Sequence, residues 1–427
     1  MSVFCPILPY RITEVQQSLI LLVEVRLILG QQILFIVQQI NHKESMTIKF
    51  NSKELASDLS IVASIVNPKN VLPILANVNI KSVTGNNTTH LMLTASDNES
   101  WLSLKAQCIY ADDNVDFCVD AKDFLQQCRT LGDKTISAEI ENNSMTCKYD
   151  NGQFVLPIED SQSFPQPLVD NNGEEITKNI DADKLYCAIK RTRFATSNDE
   201  LRPVMNGVHF DFYADGMVSA ASDGHKLVRY KDCRVTHNGV DTTLHSFTLP
   251  QTPCTILSNI LSSNSETKLN VTFDDRKAIF TGDHFKLTTR LLEGRYPNYE
   301  AVIPKTNDKF VVIGKDAFVS ALNHVLPMSN STNTQVILNF TNNNVNVLAD
   351  NVDFNRSANE NVSCDCNNVD FKISFSGAQL LQMVQNIDGE KIKIGMKESS
   401  TAALLQEETQ NENYEYTSLL MPMVIDN

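Results

Sequence analysis

The feature that most constrains the fold of this chain is an internal repeat. A short signature containing an aspartate, written ASDNE, ASDGH and LADNV, occurs three times. Its aspartates are Asp97, Asp223 and Asp350, so successive copies lie 126 and 127 residues apart. A unit of that length is large enough for a hydrophobic core of its own, whereas solenoid repeats are much shorter. The sequence therefore predicts three similar domains in a row.

Each third of the chain shows the same order of elements: a helix, alternating strands, a second helix and further alternating strands. The pattern predicts the α+β class, with two helices packed on antiparallel sheets in each domain. The helices are predicted at Ser52–Val66, Asp181–Thr196 and Lys315–Ser329, and at Ala121–Leu131, Thr252–Ser262 and Ser376–Ile387. The strands include Ile74–Val83, Val204–Tyr213 and Gln335–Thr341, and later Thr135–Ile140, Lys268–Phe273 and Lys391–Met396.

We place the three domains at 46–165, 176–303 and 308–427. The linkers between them are predicted at Ser163–Glu175, which is rich in Pro, Asp and Asn, and at Pro304–Lys309. Three similar domains in a row can form a curved array, and a second chain can close such an array into a ring.

The first 45 residues, 1–45, lie outside this repeat and form an atypical extension. Their three positive and three negative charges cancel, so the net charge of the chain lies in the remainder. The apolar stretch Ser18–Ile40 is interrupted by Glu24 and Arg26, which makes both a membrane span and a signal peptide poor interpretations. We expect an upstream start, with the functional chain beginning at Met46; an added amphipathic helix is the alternative.

The average charge of the chain argues against nucleic acid, because 36 Lys and Arg residues oppose 51 Asp and Glu residues, a net charge of −15. Net charge does not say where the charges lie, however. The ten cysteines include no CxxC pair, and Cys364-x-Cys366 is the nearest approach to a metal motif. Two buried thiols are the favoured interpretation. We expect no metal, no cofactor and a reducing, cytoplasmic location.

Asp223, Gly224 and His225 form the best candidate for acid–base chemistry. The chain has no G-x-S-x-G or H-E-x-x-H motif that would supply a nucleophile or a metal. The aspartate recurs in all three thirds, whereas His225 does not, and an aspartate at the end of a strand commonly caps a turn. We therefore expect no catalytic residue; a cytoplasmic enzyme that uses this region is kept as an alternative.

Basic residues concentrate on the predicted helices. They have two interpretations: a solvated helix face, or a lining that faces a polyanion. Composition alone leaves both open. The residues are Lys184, Lys190, Arg191 and Arg193, with Arg202 shortly after them, and Lys53, Lys122 and Arg129 in the first third, with Lys69 in the loop before its first predicted strand.

The C-terminal segment Leu419–Ile425 is apolar. It is interpreted either as the last core strand or as part of a groove for a partner. Pro422 argues against a central strand because proline has no N–H for the ladder, and Met421 and Met423 adapt readily to varied apolar partners.

Six segments in order across the three repeats resemble the bacterial DNA polymerase III beta subunits, the sliding clamps. The resemblance extends from Met46 to Ile425, and although each segment alone is weakly specific, their combination is strongly so. The segments are MTIKFNSKEL at 46–55, LPILANV at 72–78, RPVMNG at 202–207, SDGHKL at 222–227, LEGRYPNY at 292–299 and the terminal LMPM at 420–423.

The resemblance implies a non-catalytic processivity factor. In that family a head-to-tail homodimer forms a pseudo-sixfold ring, with helices lining the hole and sheets outside. The ring encircles duplex DNA without reading its sequence, slides along it, and tethers the replicative polymerase alpha subunit, the clamp loader and repair proteins through short linear motifs. No membrane is implied. A three-repeat cytoplasmic interaction scaffold without DNA encirclement is the alternative.

Site residues follow from the resemblance position by position. Lys69 and Arg202 match DNA-contacting positions of the family; Lys122, Arg129, Lys184, Lys190, Arg191 and Arg193 are added from their charge and placement. The matching groove positions are Met205, Ser222, Gly224, His225, Lys226, Leu227, Pro297, Val302, Leu322, Met421, Pro422 and Met423. The chain departs from the family pattern at Pro203 and Val204, where tyrosines are frequent, at Lys69, where arginine is common, and at Ala301, Ser376 and Gln379 in the groove.

Overall fold

The computed structural model describes residues 45–67, 70–85, 88–167, 175–213, 216–234, 245–262, 266–341, 343–366, 370–409 and 411–425. The predicted extension 1–45, except its last residue, and the predicted DNA contact Lys69 therefore lie outside the described residues. Among the described residues, no helix is both long enough and apolar enough to cross a membrane.

The first domain begins with a strand that leads directly into a helix. Asn51 and Asp120 end strands and cap the two following helices, because their side-chain oxygens accept backbone N–H groups of the first helical turn. The elements are β1 (Met46–Asn51), α1 (Ser52–Val62), β2 (Asn77–Gly85), β3 (Thr88–Ser96), β4 (Ser100–Gln107), β5 (Tyr110–Ala111), β6 (Asp116–Asp120), α2 (Ala121–Leu131), β7 (Thr135–Glu141), β8 (Ser144–Tyr149) and β9 (Gly152–Asp160).

The second and third domains repeat this order. The second contains β10 (Ile176–Asp181), α3 (Ala182–Thr192), β11 (Gly207–Tyr213), β12 (Gly216–Ser222), β13 (Lys226–Asp232), β14 (His245–Pro250), α4 (Gln251–Leu261), β15 (Lys268–Phe273), β16 (Lys277–Thr281) and β17 (Phe285–Arg290). The third contains β18 (Lys309–Gly314), α5 (Lys315–Val325), β19 (Gln335–Thr341), β20 (Asn344–Asn351), β21 (Arg356–Asp365), β22 (Phe371–Ser376), α6 (Gly377–Gln385), β23 (Lys391–Met396), β24 (Ala403–Glu407) and β25 (Tyr414–Leu420).

The predicted α+β class is confirmed, and the differences lie at the ends of elements. The prediction that a helix opens each third was wrong, because β1, β10 and β18 come first. The strands predicted from Ile74 and from Val204 begin later, at Asn77 and Gly207, since 3₁₀ turns starting at Pro73 and Pro203 precede them. A proline at the first position of such a turn has the required φ angle and needs no N–H partner.

The sheets continue across both domain boundaries. Strand β4 of the first domain pairs with β17 of the second, with Trp101 opposite Thr288. In the same way, β13 of the second domain pairs with β25 of the third, with Leu227 opposite Leu419. The helices pack in pairs, α1 on α2, α3 on α4 and α5 on α6, and α1 also contacts α4 of the next domain. The main-chain ladders therefore join the three domains into one continuous arc.

Asp58 on α1 is an acidic group held in an unfavourable environment. Burial, and secondarily the neighbouring Glu54, raise the pKa of the Asp58 carboxyl to about 6. A carboxyl whose folded-state pKa is raised destabilises the protein once it ionises, so its cost grows between pH 4 and pH 6 and then stays constant.

We predict that Asp58→Asn stabilises the protein by about 1–2 kcal/mol at pH 7.5, after allowance for solvent screening. The gain should disappear near pH 4, where the wild-type carboxyl is already protonated. Urea unfolding at both pH values measures this difference. A gain that is equal at the two pH values would contradict the assignment of the cost to the ionised carboxylate.

Candidate nucleic-acid and partner interfaces

An apolar cluster lies where the second and third domains meet, and it would form the floor of the predicted groove. Strands β12 and β13, the segment after β17, and strands β24 and β25 contribute to it. Its buried members are Val218, Ala220, Leu227, Tyr296, Tyr299, Ala402 and Leu419, with Val204, Ile303 and Leu404 packed against them. The cluster is separate from the main core and lies at the domain boundary, as is typical of ligand sites.

The turn between β12 and β13 forms one wall of this groove. Asp223 Oδ1 accepts the backbone N–H groups of His225 and Lys226, each at 2.8 Å, and so fixes the turn. Gly224 has a φ of +93°, and a Cβ there would lie 3.0 Å from Nη1 of Arg202. A side chain at Gly224 would therefore be both strained and crowded.

Side chains of α6 hold this turn against the third domain. Lys226, which is buried, donates to Oε1 of Gln382 at 3.0 Å, and Gln379 Nε2 donates to Oδ2 of Asp223 at 3.3 Å. Ser222 Oγ donates to the Lys226 carbonyl at 2.8 Å. The predicted groove residues Ser222 and Lys226 thus stabilise the shape of the wall.

The C-terminal segment forms the opposite wall. The Met421 N–H donates to the His225 carbonyl, and the Met423 N–H donates to the Ser374 carbonyl, both at 2.8 Å. The Met421 side chain is 41% exposed, and Val302, in the segment that follows Tyr299, is 58% exposed. Main-chain bonds therefore hold exposed apolar side chains at the rim, which suits the docking of an apolar peptide.

The predicted groove residues lie at different depths in the structure. His225 and Pro297 are exposed, whereas Met205 and Leu227 are buried below the surface. Leu322 is a correction: it is fully buried in the main core beneath α5, so it supports the third domain and does not line a surface. Its helical spacing alone could not distinguish a core position from a groove position.

The sequence did not single out the aromatic layer beneath the groove. Tyr296 stacks on His209 with ring centroids 4.6 Å apart, and the Tyr299 hydroxyl donates to Oδ2 of Asp211 at 2.5 Å. His209 also bonds Asp211 at 3.2 Å. Burial raises the pKa of both tyrosine hydroxyls, so both remain protonated. The sequence signal was present in the segment YPNY, where two tyrosines surround a proline.

Arg191 is a further correction, since it was predicted to contact DNA. Its side chain is 13% exposed and pairs with Asp388 and, at 3.5 Å, with Glu407. Its guanidinium also lies over the Tyr230 and Tyr414 rings, 5.1 Å and 4.2 Å from their centroids. A planar cation suits such stacking. Arg191 therefore links the second domain to the third and is not free for phosphates.

The ammonium group of Lys184 likewise interacts with neighbouring groups of its own domain. Its ammonium lies 2.6 Å from Asp181 and donates to the Arg234 carbonyl at 3.1 Å, and the side chain is 17% exposed. Lys122, Arg129 and Lys190 are exposed on α2 and α3. The other two predicted contacts have polar neighbours: Arg193 Nη1 donates to Thr255 at 3.3 Å, and Arg202 pairs with Asp199 at 3.0 Å.

The Asp223 region offers no geometry for catalysis. Both backbone bonds of Asp223 Oδ1 belong to the turn, and His225 is exposed beside it. Within the described ranges, no three His, Cys, Asp or Glu side chains lie close enough to hold a metal ion. Cys364 and Cys366 are both buried on or beside β21.

Comparison with known proteins identifies the class to which this arrangement belongs. The N-terminal, central and C-terminal domain models of the DNA polymerase III beta subunit match residues 46–168, 179–298 and 300–424. The chain therefore belongs to the DNA polymerase III beta subunit family. It is a processivity factor, a non-catalytic accessory subunit of the replicative polymerase.

Relatives and solved structures agree with this membership. The beta sliding clamp of Pseudomonas putida is 26% identical over 370 residues, which cover 86% of this chain and 97% of the relative. That of Escherichia coli is 23% identical and covers 87% and 98%. Clamp structures from Pseudomonas aeruginosa and Bartonella birtlesii, both bound to griselimycin, have TM-scores of 0.79 and 0.80 at 24% and 22% identity. They cover 89% and 90% of this chain and 100% of each solved chain.

The interdomain role of Arg191 predicts a large effect on stability. Arg191→Ala leaves Asp388 and Glu407 without their cation, and burial already raises the pKa of Glu407. We expect a loss of about 3 kcal/mol in the free energy of unfolding, measured by urea denaturation. The control is Lys148→Ala, which breaks an exposed pair with Glu139 and should cost at most about 1 kcal/mol. Equal costs for the two variants would refute the interdomain role.

Proposed function

We propose that two copies of this chain close into a ring that encircles duplex DNA and slides along it. The observation that carries the proposal is the repeated pairing across domain boundaries, β4 with β17 and β13 with β25. In the third domain, β21 holds the place of β4 and β13 but has no following domain to pair with. In the first domain, β9 holds the place of β17 and β25 but has no preceding domain to pair with. Pairing β21 with β9 of a second copy, twice, continues the pattern and closes the ring head to tail.

Both leftover strands have an open edge among the described residues. Strand β21 pairs with β20 along 356–363 but meets β18 only at Cys364 and Asp365. Strand β9 pairs with β8 along 152–157 and meets β6 only at 158–160. An edge of unpaired N–H and C=O groups is a template for another strand.

The direction of the backbone N–H groups on β9 shows which of them face the open edge. The Ile158 N–H donates to the Asn143 carbonyl on the β8 side. Because successive N–H groups of a strand alternate in direction, those of Gln153 and Val155 point to the open edge. Pro157 has no N–H and would end the ladder.

The DNA-facing surface would consist of the helix layer. The residues proposed as phosphate contacts are Lys122, Arg129, Lys190, Arg193 and Arg202 together with Lys69. A closed ring is retained by topology, so these contacts need only be weak and sequence-independent, which allows sliding. The acidic remainder of the chain would discourage DNA from binding elsewhere.

We expect the wild-type protein, loaded by its clamp loader onto nicked circular DNA, to stay on the circle and to leave when the DNA is linearised. Val155→Pro removes an edge N–H and should give a folded monomer that is not retained, as measured by light scattering and gel filtration of the DNA complex. Val155→Thr keeps the N–H and should behave as wild type. Equal retention on circular and linear DNA would rule out the ring, and a dimeric Val155→Pro protein would rule out this edge.

The groove between the second and third domains is proposed to receive short apolar peptide motifs of the polymerase alpha subunit, the clamp loader and repair proteins. The support is the apolar floor with its exposed rim at Val302 and Met421 and the main-chain bonds that fix the C-terminal segment. Leu419 and Leu420 are buried within β25 opposite β13. A test of the groove must therefore leave them in place.

The double variant Met421→Ala/Met423→Ala should reduce polymerase stimulation at least about tenfold, the effect of roughly 1.4 kcal/mol of lost apolar contact. The dimer and the unfolding free energy should change little, because Met421 is exposed and Met423 is only half-buried. Primer extension and light scattering measure the two effects. The control Val83→Ala truncates another exposed apolar side chain, in the first domain. Full stimulation by the double variant would exclude this wall of the groove.

A further inference from the structure

The strand registers allow the first two domains to be compared residue by residue. Strands β2, β3 and β6 of the first domain correspond to β11, β12 and β14 of the second. Lys81 on β2 pairs with Met92 and with Asp116. Asp211 on β11 is the corresponding residue, and it pairs with Val218 and with Ser246. The same registers match Asn79 to His209, Thr94 to Ala220, and Trp101 to Leu227.

The segment that follows the last strand extends this correspondence. Phe164-Pro165 and Tyr296-Pro297 each place a buried aromatic ring before a proline, with the rings 4% and 7% exposed. Counting onwards, Pro167 of the first domain corresponds to Tyr299 of the second. The two domains thus differ at a position where one has a proline and the other a large aromatic side chain.

In the second domain, Tyr299 covers the part of the sheet formed by Val218, Ala220 and Leu227. A separate pocket of about 490 Å³ remains beside it, along His209, Asp211 and Ser246. The Tyr299 ring is 7% exposed. Its hydroxyl donates to Asp211 at 2.5 Å. The space that Tyr299 occupies is therefore shaped for a phenol, with apolar contacts to the ring and a polar partner at the hydroxyl.

In the first domain, the corresponding space is a cavity of about 250 Å³ that opens to solvent at Lys81, whose side chain is 58% exposed. Its lining includes Lys81, Met92, Thr94, Trp101 and Pro167, and β17 of the second domain completes it. A dry cavity of about 150 Å³ is enough to hold benzene, so this one has room for a phenol ring. Pro167 is too short to fill it.

The polar groups of the cavity suit a phenol hydroxyl. Lys81 and Asp116 form an ion pair at 3.2 Å, and Asn79 Nδ2 donates to Asp116 at 2.9 Å. An ammonium can donate a hydrogen bond to the phenol oxygen, while a carboxylate accepts one from the phenol O–H. Trp101 Nε1 donates to the Pro165 carbonyl at 3.0 Å, so the indole is already fixed as one face of the cavity.

We infer that this cavity is a second docking site, which receives a tyrosine side chain from a partner protein. The inserted phenol occupies the place that Tyr299 occupies in the second domain, with its ring on Met92 and Trp101 and its hydroxyl at Lys81 and Asp116. The site lies at the boundary of the first and second domains, and it does not depend on the peptide groove between the second and third.

Trp101 is the single tryptophan of the chain, so its fluorescence reports on this cavity directly. The probes are p-cresol, which is the tyrosine side chain alone, and N-acetyl-tyrosinamide, titrated into the full-length protein. Both should change the emission saturably. Toluene, which has the ring and methyl group of p-cresol but no hydroxyl, should bind about tenfold more weakly, because it forms no hydrogen bond to a charged group.

Two variants test the position of the probe. Pro167→Tyr gives the first domain the side chain that the second already has, and it should fill the cavity and abolish the response to p-cresol. Lys81→Ala should weaken p-cresol binding about tenfold, whereas Lys148→Ala, which removes an exposed lysine on β8, should not. A response that does not saturate, that toluene reproduces with equal affinity, or that survives both Pro167→Tyr and Lys81→Ala would overturn the inference.

Discussion

The ladder between β13 and β25 is the interaction on which the rest of the structure depends. Seven consecutive residue pairs, from Lys226 opposite Leu420 to Asp232 opposite Tyr414, join the second and third domains through main-chain hydrogen bonds. The ladder places the turn at Asp223 directly beside the C-terminal segment, and so creates the groove. The same type of ladder joins the first and second domains, and an arc with open strands at both ends follows from it.

Side chains then determine how rigid each boundary is and what it can bind. At the second boundary, Arg191 reaches Asp388 and Glu407 of the third domain. Arg229 reaches Glu415 of the third domain at 3.0 Å and also contacts Glu300 of its own domain at 2.6 Å. Tyr299 fills the space beneath the groove. At the first boundary, the corresponding space is a cavity beside Trp101. Repetition of the backbone therefore does not imply repetition of the sites, because single side chains determine which part of the space at each boundary is filled.

Much of the fold was predictable from the sequence, and rather less of the sites. The threefold repeat and the α+β class were recognised correctly, because periodicity and caps are local properties. The opening strands β1, β10 and β18 were missed, since each runs directly into a helix without an intervening turn. Among the predicted site residues, Met421 bonds the turn through the His225 carbonyl, whereas Arg191 and Leu322 do not have the surface positions predicted for them.

The sequence by itself determined that this protein consists of three similar units and belongs among the DNA polymerase clamps, because both conclusions depend on the order and spacing of residues along the chain. Only the tertiary structure decided which cations are free. Arg191 meets Asp388 from 197 residues away, and no local pattern records such a pairing. Charge and spacing show that a residue could contact a partner, but burial and distant neighbours determine whether its side chain is available to do so.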